Sequence, residues 1–217
     1  YKVSHVICMG DFCSMDSLSS YDRAKKSFEG RRYQRDMQHS HEALALFNKG
    51  LGKHKPRKIM LHGNHEDRID RFVDENPELD GTLKISDLQF KKYGWQEIPY
   101  KQMKVVDGIH YAHHFPSGIM GSAISGENIG RTLLTKHKVS ATVGHSHLLD
   151  YAISTLPNGK KIHGLSAGGY LSHSEHFARD TQHMWWNGLI LKREVKDGNY
   201  NIETIDIKTI RREYGRR

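Results

Sequence analysis

The chain has 217 residues, of which 36% are hydrophobic and 27% are charged, with a formal net charge of +8 and a pI of about 9.4. This length suits one α/β domain better than two, and no stretch is long or apolar enough to span a bilayer. The positive charge favours a polyanionic partner such as nucleic acid, although many basic proteins bind none. Composition therefore excludes a membrane-spanning helix and indicates a globular domain without a membrane partner.

The first half of the chain shows short strands alternating with helices. Apolar runs at residues 3–9 and 58–61 predict buried strands. Amphipathic patterns predict helices at residues 31–51 and 67–75. A less regular stretch at residues 79–94 is expected to hold a further helix.

The second half is rich in hairpin signals. Asp107-Gly108, Asn158-Gly159 and Asp197-Gly198 each lie between two apolar runs, which is typical of tight β-turns. Residues 127–138 predict a helix that leads into a strand at residues 139–143. We therefore expect a single α/β domain over residues 1–217, with two mixed sheets flanked by helices.

Both cysteines, Cys8 and Cys13, lie too close together to cross-link a domain and form no zinc pattern. A reducing cytoplasm is therefore the expected compartment. The chain opens at Tyr1 and enters a strand almost at once, so we expect a further strand upstream of it.

Sixteen histidines are the unusual feature of the composition. Asp11, Asn64, His113 and His145 each come just after a predicted strand, and three of them stand near or beside a glycine. Ligands of open α/β sheets gather at the carboxyl ends of strands. Carboxylate, amide and imidazole groups together suit a divalent cation such as Mn, Fe, Zn, Co or Ni.

These residues belong to four motifs in a fixed order. They are Gly10-Asp11, then Gly63-Asn64-His65-Glu66, then His113, then Gly144-His145-Ser146-His147. In this order the sequence resembles the calcineurin-like metallophosphoesterase family over positions 10 to 147. Residues 16–22 also resemble bacteriophage members, for which the compartment would be the host cytoplasm. The resemblance implies a four-layer α/β/β/α sandwich and a hydrolase that acts on phosphate esters.

The resemblance also implies two divalent cations, with Mn as the first choice. Asp11 would contact both ions, because a carboxylate can offer an oxygen to each. Asn64, His113 and His145 would complete one ion, and His147 would bind the other. The two cations would activate water for attack on phosphorus.

Four more residues receive roles near the cations. By the resemblance, His65 would donate a proton to the leaving oxygen, and Glu66 would hydrogen-bond His65 and hold it oriented. Arg68, just after the motif, is a candidate phosphate contact, although pairing with a neighbouring aspartate explains it equally well. His114 is the alternative ligand to His113 or a substrate contact.

One motif of the family is missing, because no Asp-x-His triplet occurs in the chain. We expect these ligands to lie upstream of Tyr1. If they are absent from the protein, one cation keeps only Asp11 and His147 and binds weakly. A second departure is His113-His114, where the family often has His-Gly.

Three functions therefore stay open. A phosphodiesterase or nuclease that acts on DNA or RNA is favoured by the net charge and by the basic segment at residues 23–35. A phosphomonoesterase acting on nucleotides or phosphoproteins needs no such surface. A non-catalytic binding protein that keeps the fold is favoured only by the missing Asp-x-His.

Overall fold

The computed structural model describes residues 2–171 and 181–215 of the chain. Within these ranges it contains four α-helices and several β-sheets, which confirms the predicted α/β class. None of the described helices combines the length and apolar character needed to cross a bilayer. The chain divides into two compact units, Tyr1–Gln102 and Met103–Arg217.

The first unit is built on a three-stranded parallel sheet. Its strands, in chain order, are β1 (His5–Cys8), β2 (Arg57–Leu61) and β3 (Trp95–Ile98). Strand β2 lies between the other two, and both pairings are parallel. The first two strands were predicted from apolar runs. The third was missed because only the two end residues of its four are buried. Since all three strands are parallel, their carboxyl ends meet at one edge of this sheet.

Two helices of the first unit fall where the sequence predicted them. They are α1 (Tyr33–Leu51) and α2 (Arg68–Glu75). Leu44 of α1 and Ile69 of α2 are fully buried and pack in one apolar core with β2 and β3. Their burial anchors the helices because each removes a large aliphatic side chain from water.

The helix expected within residues 79–94 does not form, so that prediction is wrong. The segment holds a short 3₁₀ turn, Ile85–Leu88, which ends where Gln89 takes a left-handed φ of 56°. Leu88 and Phe90 are fully buried. Packing of these two side chains holds the segment in place of a regular helix.

The second unit contains a five-stranded mixed sheet and two further hairpins. Its strands, in chain order, are β4 (Lys104–Val106), β5 (Ile109–Tyr111), β6 (Pro116–Ser117), β7 (Ser122–Ala123), β8 (Ser140–Val143), β9 (Leu149–Thr155), β10 (Lys161–Ala167), β11 (Gly188–Lys196) and β12 (Asn199–Asp206). The large sheet has the order β4-β5-β8-β10-β9. Its three central strands are mutually parallel, and the two edge strands run antiparallel to them.

All three predicted hairpins are confirmed, as the pairs β4–β5, β9–β10 and β11–β12. Asp107 and Gly108 both have positive φ, at 48° and 78°, and so do Asp197 and Gly198, at 50° and 86°. Two consecutive positive φ values are the signature of the type I′ turn, whose twist matches that of the paired strands. The Asp-Gly pairs therefore specified these turns directly.

Two helices, α3 (Ile129–His137) and α4 (Ile207–Tyr214), belong to the second unit. Helix α4 corrects an expectation, because a flexible basic tail was predicted for the C-terminal arginines. Arg211 and Arg212 lie within this helix, which Asp206 caps by accepting from two backbone N–H groups. Arg216 and Arg217 lie outside the described residues.

A buried histidine links three elements of the second unit. His163 on β10 is 2% exposed. Its Nε2 donates to Oδ1 of Asn199 at 2.7 Å, and its Nδ1 accepts from the hydroxyl of Tyr151 at 2.6 Å. This pattern requires a neutral ring, because a protonated ring has no acceptor nitrogen for the tyrosine.

Acid is therefore expected to weaken the second unit through His163. Burial, the main cause, lowers the pKa of this histidine below its usual 6.5. Its stabilising effect is complete above pH 6.5 and is lost as the pH falls through the lower pKa of the folded state. Urea unfolding at pH 7 and at pH 5 measures this loss. Wild type should lose more stability than His163→Gln, by up to about 1.4 kcal/mol per pH unit. Equal losses in the two proteins would contradict the prediction.

Candidate functional site

In the first unit, the loops after β1 and β2 are bonded to each other. The backbone N–H of His65 donates to Oδ1 of Asp11 at 3.0 Å. Asp11 adopts a left-handed φ of 55°, a conformation that aspartate tolerates better than most residues. The structure thus brings Asp11 and the Asn64-His65 turn together, as expected for loops that follow adjacent parallel strands.

Gly63 makes this close approach possible. A Cβ atom on it would lie 2.1 Å from Oδ1 and 2.6 Å from the backbone nitrogen of Asp11. Neither atom can move away freely, since both are held in hydrogen bonds. The motif therefore needs glycine at this position for steric reasons.

Glu66 is fully buried and holds the two loops together through their backbone. Its Oε2 accepts from the N–H groups of Asp11 at 2.9 Å and Gly63 at 2.7 Å, and its Oε1 accepts from Cys13 at 2.9 Å. Burial and then the charge of Asp11 raise the pKa of Glu66 to about 7, while the three donors oppose the shift. The sequence prediction, a bond to His65, did not include this positioning role, and that bond stays a prediction.

Replacing Glu66 with glutamine tests this role. The amide keeps the size of the side chain but exchanges one acceptor oxygen for an N–H₂ donor. At least one of the three backbone N–H groups then faces a donor, which is expected to cost about 1–3 kcal/mol of unfolding free energy. Chemical denaturation of Glu66→Gln against wild type measures it. An unchanged unfolding midpoint would show that the three bonds contribute nothing net.

Arg68 lies against His65 and is tied to the loop after β1. Its Nη2 donates to Nε2 of His65 at 3.3 Å, and its Nη1 donates to the carbonyl of Ser14 at 2.8 Å. Asp16 lies 3.5 Å from Nη1. The side chain is only 12% exposed, and burial, as the largest cause, lowers the pKa of its guanidinium. Two groups that suit a phosphate oxygen, a guanidinium and an imidazole, are therefore adjacent.

Sequence inspection missed two neighbours of this site. Arg71 donates to the carbonyl of Asn64 at 3.0 Å and pairs with Asp67 at 3.1 Å. The i, i+4 spacing of Asp67 and Arg71 on a helix was the available signal. Tyr100 follows β3, and burial followed by the charges of Asp67 and Asp11 raises its pKa. No pattern pointed to Tyr100, because β3 itself was not predicted.

In the second unit, two predicted ligands stand side by side. His113 follows β5 and His145 follows β8, which are adjacent parallel strands. The carbonyl of His113 accepts from the N–H groups of both Gly144 and His145, each at 3.1 Å. The two turns are thereby fixed to each other. Nε2 of His113 lies 3.1 Å from Nδ1 of His145.

This nitrogen–nitrogen distance fits a shared cation. Imidazole nitrogens bind zinc-like ions at about 2.1 Å. Two such bonds at angles between a right angle and the tetrahedral value place the nitrogens about 3.0–3.4 Å apart. His113 is 3% exposed, so its ring is already shielded from water. The pair could therefore hold a metal ion without rearrangement.

The other two histidines of this region differ from each other. His114 is 9% exposed, and its ring centre lies 5.8 Å from that of His145, so it stands at the edge of the pair. His147 has a left-handed φ of 59°, and its ring packs edge-on against Trp185 at 4.2 Å. Contact with Trp185 was not predicted, since a Trp-Trp dipeptide by itself indicates only core or interface.

The basic segment at residues 23–35 is partly neutralised within its own unit. Arg31 pairs with Asp22 at 2.7 Å, and Lys25 lies 3.5 Å from the same carboxylate. Arg23 lies over the ring of Phe72 at 4.9 Å. These cations already have partners, which leaves fewer of them for a ligand.

Comparison with known proteins adds no family to this description. No protein-family model matches the chain, and no curated protein or solved structure matches it either. The motif order and the geometry of each unit therefore carry the functional argument.

Proposed function

We propose that the protein is a metal-dependent phosphoesterase, with phosphodiesters, including DNA or RNA, as its preferred substrates. The observation that carries the proposal is the 3.1 Å separation of the ring nitrogens of His113 and His145 at the ends of adjacent strands. The bonded loops that hold Asp11 and His65 support it. In this proposal the four motifs serve one site, within the four-layer α/β/β/α sandwich that the family resemblance implies.

Asp11, Asn64, His113, His145 and His147 are the proposed metal ligands. A carboxylate oxygen of Asp11 joining the two imidazoles of His113 and His145 is a suitable donor set for Mn, Fe, Zn, Co or Ni. Two bound cations would lower the pKa of water enough to supply hydroxide near neutral pH and would neutralise charge on the phosphate. Ligands from an upstream Asp-x-His are expected to complete the second ion.

The protein's own side chains bind and protonate the ester. Arg68 contacts a phosphate oxygen that replaces its present partner, Nε2 of His65. Release from Arg68 leaves Nε2 of His65 able to carry a proton and to donate it to the leaving oxygen. His114 stands at the edge of the metal pair and contacts the substrate. Glu66 keeps the loops of Asp11 and Gly63 in register.

Two chromogenic esters separate the enzyme hypotheses. With Mn²⁺, bis-p-nitrophenyl phosphate is expected to be cleaved faster than the mono-ester p-nitrophenyl phosphate. Single-stranded DNA is tested beside them by gel electrophoresis. If only the mono-ester is cleaved, the nuclease hypothesis fails and the phosphomonoesterase hypothesis stands.

The role of His65 can be tested by varying the leaving group. His65→Ala removes the proton donor, so we expect kcat to fall by about 10²–10⁴ for a diester with a poor alcohol leaving group. The loss should be much smaller for p-nitrophenolate, which needs little protonation to depart. Measuring kcat for both substrates in both proteins gives the comparison. An equal loss on the two substrates would assign His65 to binding or folding instead.

The non-catalytic hypothesis makes an opposite prediction. A binding protein that keeps the fold shows no turnover with any divalent cation, whatever its affinity for nucleic acid. Mn²⁺-stimulated hydrolysis that is lost in His65→Ala would exclude it. Purified wild type assayed with and without a chelator supplies this result directly.

A further inference from the structure

Three lysines line an open cleft at one end of the second unit. The cleft has a volume of about 620 Å³ and is lined by Gly159, Lys160, Lys161, Lys196, Asp197 and Asn199. We call this feature the lysine cleft. Lys160 and Lys161 follow the turn of the β9–β10 hairpin, and Lys196 precedes the turn of β11–β12. The two hairpin turns therefore present three exposed ammonium groups to one concave space.

The positive charge of the lysine cleft is not neutralised locally. Within residues 2–171 and 181–215, no carboxylate forms an ion pair with any of the three lysines. Asp197 is the single acidic residue in the lining. Lys138 adds charge nearby, because it lies two residues before Ser140, whose hydroxyl donates to the carbonyl of Gly198 at 2.6 Å.

The chemistry of the lining suits a phosphate backbone. Lysines and an asparagine amide are groups that contact phosphates and sugars without reading sequence. The lining contains no apolar side chain, whereas a surface that binds membranes inserts apolar residues beside its basic ones. A concave, wholly polar, cationic cleft is therefore better matched to a nucleic-acid strand than to a lipid surface.

We propose that the lysine cleft binds the backbone of a single-stranded nucleic acid through Lys160, Lys161 and Lys196. This surface differs from the basic segment at residues 23–35, which the sequence favoured and whose cations are partly paired with Asp22. The proposal goes beyond hydrolysis and holds whether or not the protein cleaves the strand.

The lysine cleft is separated from the histidine pair along the sheet. Lys161 begins β10, whereas His145 follows the carboxyl end of the adjacent parallel strand β8. Strand β10 has seven residues, and at about 3.3 Å per residue it spans roughly 20 Å. Changes in the cleft should therefore leave hydrolysis of a small ester unaltered, so failure of this proposal and failure of the proposed function are distinguishable.

Fluorescence anisotropy with a labelled 20-nucleotide oligo-dT, in EDTA to prevent cleavage, tests the proposal. The triple variant Lys160→Gln, Lys161→Gln, Lys196→Gln should raise the Kd about tenfold or more at moderate salt. Loss of three phosphate contacts should also reduce the slope of log K against log salt by about 2, since each contact to a single strand contributes about 0.7. Lys161→Glu alone should weaken binding in the same direction.

The matched control removes the same charge from the basic segment of the first unit. Lys25→Gln, Lys26→Gln, Arg35→Gln is expected to change the Kd less than threefold. Equal weakening by the two triple variants would mean that net charge alone attracts the strand, and would overturn the proposal. So would wild type that fails to bind the oligonucleotide, or that binds only phosphatidylserine vesicles. Hydrolysis of bis-p-nitrophenyl phosphate and the thermal midpoint should be unchanged in both triple variants.

Discussion

Replacing His145 with alanine is expected to abolish tight binding of the divalent cation and to lower kcat/KM on a phosphodiester by about 10³-fold or more. Nδ1 of His145 lies 3.1 Å from Nε2 of His113, so its removal leaves a single imidazole where the structure offers two. Losing the several kcal/mol by which a cation stabilises a phosphoryl transition state corresponds to this factor. Metal content after dialysis and steady-state kinetics measure the two effects separately.

The result should be specific to the histidine pair. His113→Ala is expected to match His145→Ala, and the double variant should lose little more, because either single change already breaks the pair. His39→Ala removes an exposed imidazole from helix α1 and serves as the control with unchanged metal content. Mn²⁺ should raise the thermal midpoint of wild type and of this control but not of His145→Ala. Full metal retention in His145→Ala would refute the proposed ligand.

Gly63→Ala is expected to be the most damaging single change in the first unit. The added Cβ would lie 2.1 Å from Oδ1 and 2.6 Å from the backbone nitrogen of Asp11. The loops must separate to admit it, which breaks the bonds of Asp11 to His65 and Glu66. Overpacking of this kind typically costs about 1–3 kcal/mol and more where backbone is displaced. We expect a loss of at least about 3 kcal/mol together with loss of activity.

A second glycine provides the control for Gly63→Ala. Gly50 lies in helix α1 with no atom within 4 Å of where its Cβ would be. Gly50→Ala should leave activity unchanged and stabilise the protein by up to about 1 kcal/mol, since alanine is the better helix former. Chemical denaturation and the diester assay on both variants give the comparison. If Gly63→Ala kept wild-type stability and turnover, the close approach of the two loops would not matter for either.

Much of the secondary structure could be predicted because it depends on neighbours in sequence. The Asp-Gly turns at Asp107 and Asp197 require positive φ at consecutive residues, and a four-residue window contains that information. Helices α1 and α2 follow from their apolar periodicity in the same way. Strand β3 was missed because its end-only burial depends on partners far along the chain, and no local pattern shows it.

The candidate site divides along the same line. Sequence by itself determined which residues carry the chemistry: Asp11, Asn64, His65, His113 and His145 follow strands, in the order of a known family, and those assignments remain predictions of function. It also supplied Gly63, but without the reason for it.

Only the tertiary structure decided how these residues are held. It placed the ring nitrogens of His113 and His145 at 3.1 Å, gave Glu66 three backbone donors, and gathered Lys160, Lys161 and Lys196 around one cleft. The physical reason is that such distances are fixed by packing and hydrogen bonds between segments that lie 30 to 55 positions apart. A sequence pattern records the ends of each strand, whereas the pairing of strands determines which ends meet.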